Sequence, residues 1–332
     1  MLSNDQTVQE EYTPKMIVWS LTPPDYRPRN LDPGASSPNQ NGEDLSTSEC
    51  LLVLEGIARL SNPIVVVTGP HVVRRPDLLE ITSYGTAVGL KMVIEAHASD
   101  ISDELMRSLR SFGPRTIRVL LDGHIRESPE TRFEQTPEFQ LIEKTVQRLR
   151  EAGFQVHFGA TVRRTDLRQL AFDLDYAIDN AARGLYCHLY FLDTGAKRSG
   201  DRDLEEEMDA FLERIAELKQ FLPDSMYFSP QCVRYQYRQH QEQLSAEYDY
   251  AASEWKHWCL GGKTFAFITS SGRVRICSGS PVDCGDLRES GLDFRKIWFE
   301  SEVLHLVRTH QMTCAETRAY LRKRVPQNQA RA

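Results

Sequence analysis

Six apolar runs of β type alternate with six amphipathic stretches of helical period between Met16 and Phe221, and this order constrains the fold more than any other feature. The runs are Met16 to Leu21, Ile64 to Val67, Lys91 to Glu95, Thr116 to Leu121, Phe154 to Ala160 and Tyr186 to Leu192. The helical stretches lie near 46–60, 76–88, 102–110, 138–152, 166–182 and 203–221. Strict alternation implies parallel strands, because each return to the same end of a sheet needs a crossover, which a helix provides. A run such as Ile64-Val-Val-Val67 has no polar alternation, as expected of a strand covered on both faces. Ser or Asp opens several helical stretches, and Gly89, Gly113 and Gly153 close three of them. The expected fold class is α/β, with a six-fold (β/α) partial barrel over residues 15–222.

Around this unit the pattern changes. Residues 1–14 are polar and acidic and read as a flexible tail. Residues 223–257 are rich in Tyr, Gln and Arg without clean period and read as a connector. From 258 to 332 short strands and turns precede a helix from Phe294 to Thr309, which defines a second, smaller unit. Between 22 and 43 lie five prolines with Ser, Asn and Gly, the composition of a functional or disordered loop.

Charge narrows the partners. A net charge of -7 supplies no attraction for nucleic acid or an anionic membrane. No apolar run reaches the roughly 18 residues of a membrane span, and Met1-Leu-Ser-Asn-Asp-Gln-Thr7 has neither the basic nor the apolar region of a signal peptide. A cytoplasmic protein is expected, with small molecules or proteins as partners. The seven cysteines are odd in number, so a disulfide framework is not expected, and four of them follow Trp258.

Several short motifs fall in one consistent order. The first run ends Val18-Trp-Ser-Leu-Thr22, and the helix after the proline-rich loop opens Asp44-Leu-Ser-Thr-Ser-Glu49. Thr68-Gly69-Pro70-His71-Val72 and Arg75-Pro76-Asp77-Leu78 follow the second run. Leu121-Asp122-Gly123 follows the fourth run, Thr161-Val-Arg-Arg-Thr165 the fifth, and Thr194-Gly195 the sixth. In this arrangement the chain resembles the radical S-adenosylmethionine (SAM) superfamily, whose fold is a TIM-like partial (β/α) barrel. The resemblance marks Gly69, Asp122 and Gly123 as the region that would meet SAM. It also exposes two departures. The family's Cys-x3-Cys-x2-Cys, which holds a 4Fe-4S cluster, is replaced by Asp25, Arg29 and Asp32. Carboxylates replace thiolates poorly at iron-sulfur clusters, and a guanidinium has no lone pair to give. The family's Gly-Gly-Glu-Pro becomes Gly69-Pro70-His71-Val72, which removes an N–H and an acidic group where SAM would lie. SAM is therefore not expected as a ligand.

The C-terminal unit resembles the SPASM or twitch domain of peptide- and heme- or cofactor-maturing members. Cys259, twelve residues, Gly272, four residues and Cys277 match its spacing. Residues 264–269 and 273–276 form a hairpin about Ser270-Ser271-Gly272, which brings the two thiols together. Gly285-Asp-Leu-Arg-Glu289 and Phe294-Arg-Lys-Ile-Trp298 resemble the segments before the closing cysteines, and Cys314 takes that closing place. The resemblance implies an auxiliary 4Fe-4S cluster on Cys259, Cys277, Cys284 and Cys314, with zinc as second choice and buried apolar-type cysteines as the plain alternative. Cys50, Cys187 and Cys232 read as packing residues.

Three functions are carried forward. In the first, the chain is a pseudoenzyme without the radical cluster that binds a peptide or cofactor precursor, or an active radical SAM relative. In the second, it is an enzyme with a repurposed mouth, in which His71, His97 and His124, just past the second, third and fourth runs, work with Asp122 or Glu95. In the third, it is an electron-transfer protein that uses only the auxiliary cluster.

Overall fold

The computed structural model describes residues 12–24, 44–121, 136–163, 175–180, 184–190, 261–278 and 282–309. Its strands are β1 (Met16–Ser20), β2 (Ile64–Thr68), β3 (Lys91–His97), β4 (Thr116–Leu120), β5 (Gln155–Arg163), β6 (Leu185–Tyr190), β7 (Phe265–Ile268), β8 (Arg273–Arg275) and β9 (Asp283–Asp286). Its helices are α1 (Thr47–Leu60), α2 (Leu78–Ala87), α3 (Asp103–Phe112), α4 (Pro137–Glu151), α5 (Phe294–Glu300) and α6 (Glu302–Thr309). The chain divides into two compact units, 1–93 with 249–332 and 94–248.

In the first unit β1 lies between β2 and β7, parallel to both, with Met16 opposite Ile64 on one side and Phe265 on the other. β7 then turns antiparallel into β8, and β8 into β9. The hairpin read from the sequence is therefore present, and it extends the sheet from β1 onward. Gly272 makes the turn at φ +88, where a Cβ would lie 3.1 Å from Leu45 Cδ2, so any other residue is strained by its backbone and crowded by Leu45. The core on one face of this sheet is Val18, Val66 and Val93, edged by Met16, Ile64, Phe265 and Phe267.

α1 starts where the sequence marks it. The Ser46 hydroxyl accepts from the Glu49 N–H while the Glu49 carboxylate accepts from the Ser46 N–H at 2.7 Å, a reciprocal capping box. The continuous helix expected over 294–309 is instead two. Ser301 leaves the helical region at φ -65, ψ 125, and its hydroxyl donates to the Cys284 carbonyl at 2.6 Å, so a tertiary bond to β9 takes the turn in place of helix continuation. Trp298 is wholly buried, and its indole N–H donates to the Tyr12 carbonyl at 2.7 Å.

In the second unit β4, β5 and β6 run parallel, with Arg118 opposite His157 and Gly159 opposite both Leu120 and Tyr186. α4 begins with Thr136, whose hydroxyl accepts from the Phe139 N–H at 3.2 Å, and with Pro137 where no N–H is needed. Phe139, Ile142, Val146 and Leu149 recur at helical spacing and are all buried. No helix among the described residues is long and apolar enough to cross a membrane.

Candidate functional site

Three places in the fold gather polar side chains that the hydrophobic core does not account for. The first is the end of β1, where the proline-rich loop leaves. Arg75 is only 4% exposed and is fully engaged. Its Nε and Nη2 donate to the two Asp77 carboxylate oxygens at 2.6 and 2.9 Å, Nη2 also reaches the Leu45 carbonyl at 3.1 Å, and Nη1 donates to the Leu21 carbonyl. Thr47 of α1 donates to the same Asp77 carboxylate at 2.6 Å. One guanidinium thus ties Leu21, just past β1, to Leu45, just before the Ser46 cap of α1. Burial opposes the Arg75 charge, but the Asp77 bond outweighs it and holds the pKa above its usual value. Burial likewise opposes the Asp77 charge, and the bonds from Arg75 and Thr47 outweigh it and lower the pKa.

Beside this clamp the turn after β2 is closed against β1. Gly69 has φ +125, and a Cβ there would lie 2.2 Å from the Thr22 hydroxyl. That hydroxyl, fully buried, donates to the Pro70 carbonyl at 2.9 Å. His71 follows in the left-handed region at φ 48 and opens the short turn Val72–Arg74. Cys50, inside α1, is wholly buried, and burial pushes its thiol up to about 12, as a packing cysteine requires.

The second place is a polar layer on one face of the second unit. Glu95 of β3 and Arg118 of β4, 3% and 1% exposed, pair at 2.9 Å. The Arg118 guanidinium lies 3.6 Å from the centre of the Tyr186 ring of β6, and that ring stacks on His157 of β5 at 5.8 Å. Arg118 spans from β4 to β6 because Gly159 on β5 between them lacks a side chain. A Cβ there would sit 3.2 Å from Arg118 Cδ and 3.4 Å from the Glu95 carboxylate. Sequence reading named Glu95 only as a helper to the histidines and passed over Arg118. The signal was present: one charged residue inside Thr116-Ile-Arg-Val-Leu120, a run otherwise built for burial.

The third place is the C-terminal hairpin. Cys284 on β9 is buried, and burial pushes its thiol up to about 12, with a smaller contribution from the neighbouring Cys277. Arg308 of α6 is also buried. Its Nε donates to the Gly262 carbonyl and its Nη1 to the Trp298 carbonyl, both at 2.6 Å, and its cation lies 4.3 Å from the Trp298 ring. Burial pulls the Arg308 pKa down to about 10.

The remaining sequence-named residues divide plainly. His97 ends β3 and is exposed, and His71 sits in the turn after β2. His124, Asp122, Gly123, Asp25, Arg29, Asp32, Cys232, Cys259 and Cys314 lie outside the described residues, as does the side chain of Cys187. Among the described residues no three potential metal ligands gather. Of the four cysteines named from the sequence for an auxiliary cluster, Cys277 and Cys284 fall among the described residues.

No family model matches the chain. Whole-chain relatives do. The AdoMet-dependent heme synthase of Methanosarcina barkeri is 27% identical over 308 residues, which covers 89% of this chain and 85% of that protein. The AdoMet-dependent heme synthase of Nitratidesulfovibrio vulgaris is 24% identical over 311 residues, covering 90% and 82%. Among solved structures, Streptococcus suis SuiB bound to its precursor peptide SuiA superposes with a TM-score of 0.53 at 14% identity, over 91% of this chain and 69% of that one. Native anSMEcpe with bound AdoMet gives 0.50 at 11% identity, over 87% and 82%. The fold is the α/β partial barrel with C-terminal strands seen in those structures. The chain is similar over most of its length to AdoMet-dependent heme synthases and shares its fold with SuiB and anSMEcpe, in keeping with its resemblance to the radical SAM superfamily and to SPASM- or twitch-type members. Both relatives carry AdoMet in their names, so the expectation that this chain does not bind SAM sets it apart from them.

Proposed function

We propose that this chain is a binding or accessory protein of heme, peptide or cofactor maturation that works in the cytoplasm without a radical cluster. The observation that carries the reading is the mouth at β1. The loop that would hold the cluster offers Asp25, Arg29 and Asp32 in place of three thiols, a donor set that does not fit a 4Fe-4S cluster. The adjoining turn supports it, since Pro70 has no N–H and its carbonyl is taken by buried Thr22. The heme synthases among the relatives and the precursor peptide held by SuiB support a cofactor or peptide precursor as the bound partner. An active radical SAM relative remains the other partner in the proposal.

Within the same reading, Cys259, Cys277, Cys284 and Cys314 would hold an auxiliary 4Fe-4S cluster, or zinc as second choice, and when bound the cluster would supply one-electron transfer. The antiparallel pairing of β8 and β9, with Arg275 opposite Asp283, supports this, since Cys277 follows β8 by two residues and Cys284 lies on β9.

A single reconstitution tests both parts. The whole protein is loaded with iron and sulfide without oxygen, given SAM and dithionite, and assayed for 5'-deoxyadenosine and for iron. No 5'-deoxyadenosine above background is expected, and Cys277→Ala should remove most of any retained iron while Cys50→Ala should not. Turnover above background sinks the proposal for the mouth. Equal iron in both variants sinks it for the hairpin.

A further inference from the structure

We propose that Arg118 is the recognition group of an internal site for a carboxylate-bearing small molecule. A guanidinium has five N–H donors in a planar fork. In Arg118, Nη1 is taken by Glu95 at 2.9 Å, while Nε and Nη2 have no hydrogen-bond partner among the described residues. These two nitrogens form one side-on edge, with parallel N–H bonds spaced to meet the two oxygens of one carboxylate. The side chain is only 1% exposed, so bulk water does not serve that edge. Buried donors are rarely left unmade in a folded protein, because a lost partner there costs more than a made one gains.

The surroundings hold the edge in place. Tyr186 stacks on the guanidinium at 3.6 Å and fixes its plane, Glu95 fixes its other end, and Gly159 leaves the room it occupies. A simple counter-ion for Glu95 would not need a fork, since a lysine meets one oxygen equally well. The same chain shows what fills such an edge. In Arg75 the Nε and Nη2 donors are the pair that engage both oxygens of Asp77, at 2.6 and 2.9 Å. The two parallel donors suit a planar, two-oxygen acceptor by shape, and with Glu95 beside them a dianionic phosphate meets more repulsion than a singly charged carboxylate. This site does not depend on the reading of the β1 mouth, and the two fail separately.

The test uses the full chain with nitrogen-15 in its arginines and sodium propionate as probe. The Nε–H resonance that disappears in Arg118→Lys should shift and saturate as propionate is added, and should stay in place with propionamide or inorganic phosphate. The melting temperature should rise with propionate in the native chain, and Arg118→Lys, which keeps the Glu95 pair, should need at least tenfold more propionate for the same rise. An Nε–H resonance that ignores propionate, or that moves as much with propionamide, overturns the site and leaves an ordered water as the occupant of that edge.

Discussion

Two buried guanidinium groups, each facing a carboxylate, make opposite use of the same chemistry. Arg75 in the first unit directs its donors to Asp77, Leu21 and Leu45, all within its own fold, whereas Arg118 in the second unit has one made bond and two buried nitrogens without a hydrogen-bond partner among the described residues. A saturated buried cation is part of the scaffold. An unsaturated one, held by a ring and a carboxylate, keeps donors that the described residues do not meet, which is what the proposed site uses. Arg308 stands between them, with two carbonyls, the Trp298 ring and, among the described residues, one unpartnered Nη2, and burial lowers its pKa to about 10.

The comparison breaks most visibly if both members of each pair are replaced by apolar residues. Arg75→Met with Asp77→Leu should destabilise the fold by about 2 to 5 kcal/mol in urea titrations, because the buried Leu21 and Leu45 carbonyls lose their donor along with the pair. Glu95→Leu with Arg118→Met should be neutral or stabilising by about 1 to 4 kcal/mol, as exchanges of buried pairs for apolar residues often are. Equal losses in both would make Arg118 a scaffold residue after all.

Two glycines sharpen the contrast at lower cost. Gly69→Ala forces a Cβ onto the Thr22 hydroxyl at φ +125, and a loss of roughly 1 to 3 kcal/mol is expected from the thermal midpoint. Gly159→Ala meets only the side chains of Leu120, Arg118 and Glu95 and lies outside the left-handed region, so the smaller stability loss should come with a weakened propionate response. A Gly69→Ala protein as stable as the native one would show that the turn is not closed as described.

The smallest effect tests how the C-terminal segment is secured to α1. Arg288 donates to the Glu49 carboxylate at 2.7 Å and to the Asp44 carbonyl at 2.7 Å. The Arg288 bond, aided by the capping box and opposed by burial, lowers the Glu49 pKa from 4.5 to about 2. A carboxylate whose folded pKa lies below its unfolded one adds stability that is complete above the unfolded value and is lost as pH falls through the folded one. Stability should therefore decline between pH 4.5 and about 2. Glu49→Gln should flatten that part of the profile and cost about 1 kcal/mol at neutral pH. An unchanged acid limb would remove Glu49 from the account.

Much of the fold was legible because it is written in local period. The six runs correspond to β1 through β6, and Ser46 and Ser102 cap the helices they precede, whereas the Thr136 cap, two residues ahead of the stretch read as helical, was missed. Arg75-Pro76-Asp77-Leu78 was visible as a motif, but its task was not, since its partners Leu21, Leu45 and Thr47 stand 28 or more residues away. Arg118 was visible as a charge in an apolar run, yet nothing nearby in sequence names Glu95 or Tyr186 as its neighbours.

By itself the sequence determined the element types, the parallel alternation, the family resemblance and the missing thiols at 25, 29 and 32, because each depends on residue identity or on spacings of a few residues. Only the tertiary structure decided that β7 lies beside β1, with Met16 opposite Phe265, and that β3, β4, β5 and β6 bring Glu95, Arg118, Gly159 and Tyr186 into one layer. Those juxtapositions arise from strand pairing and a shared face, and they join residues that have no local reason to meet until the sheet has formed.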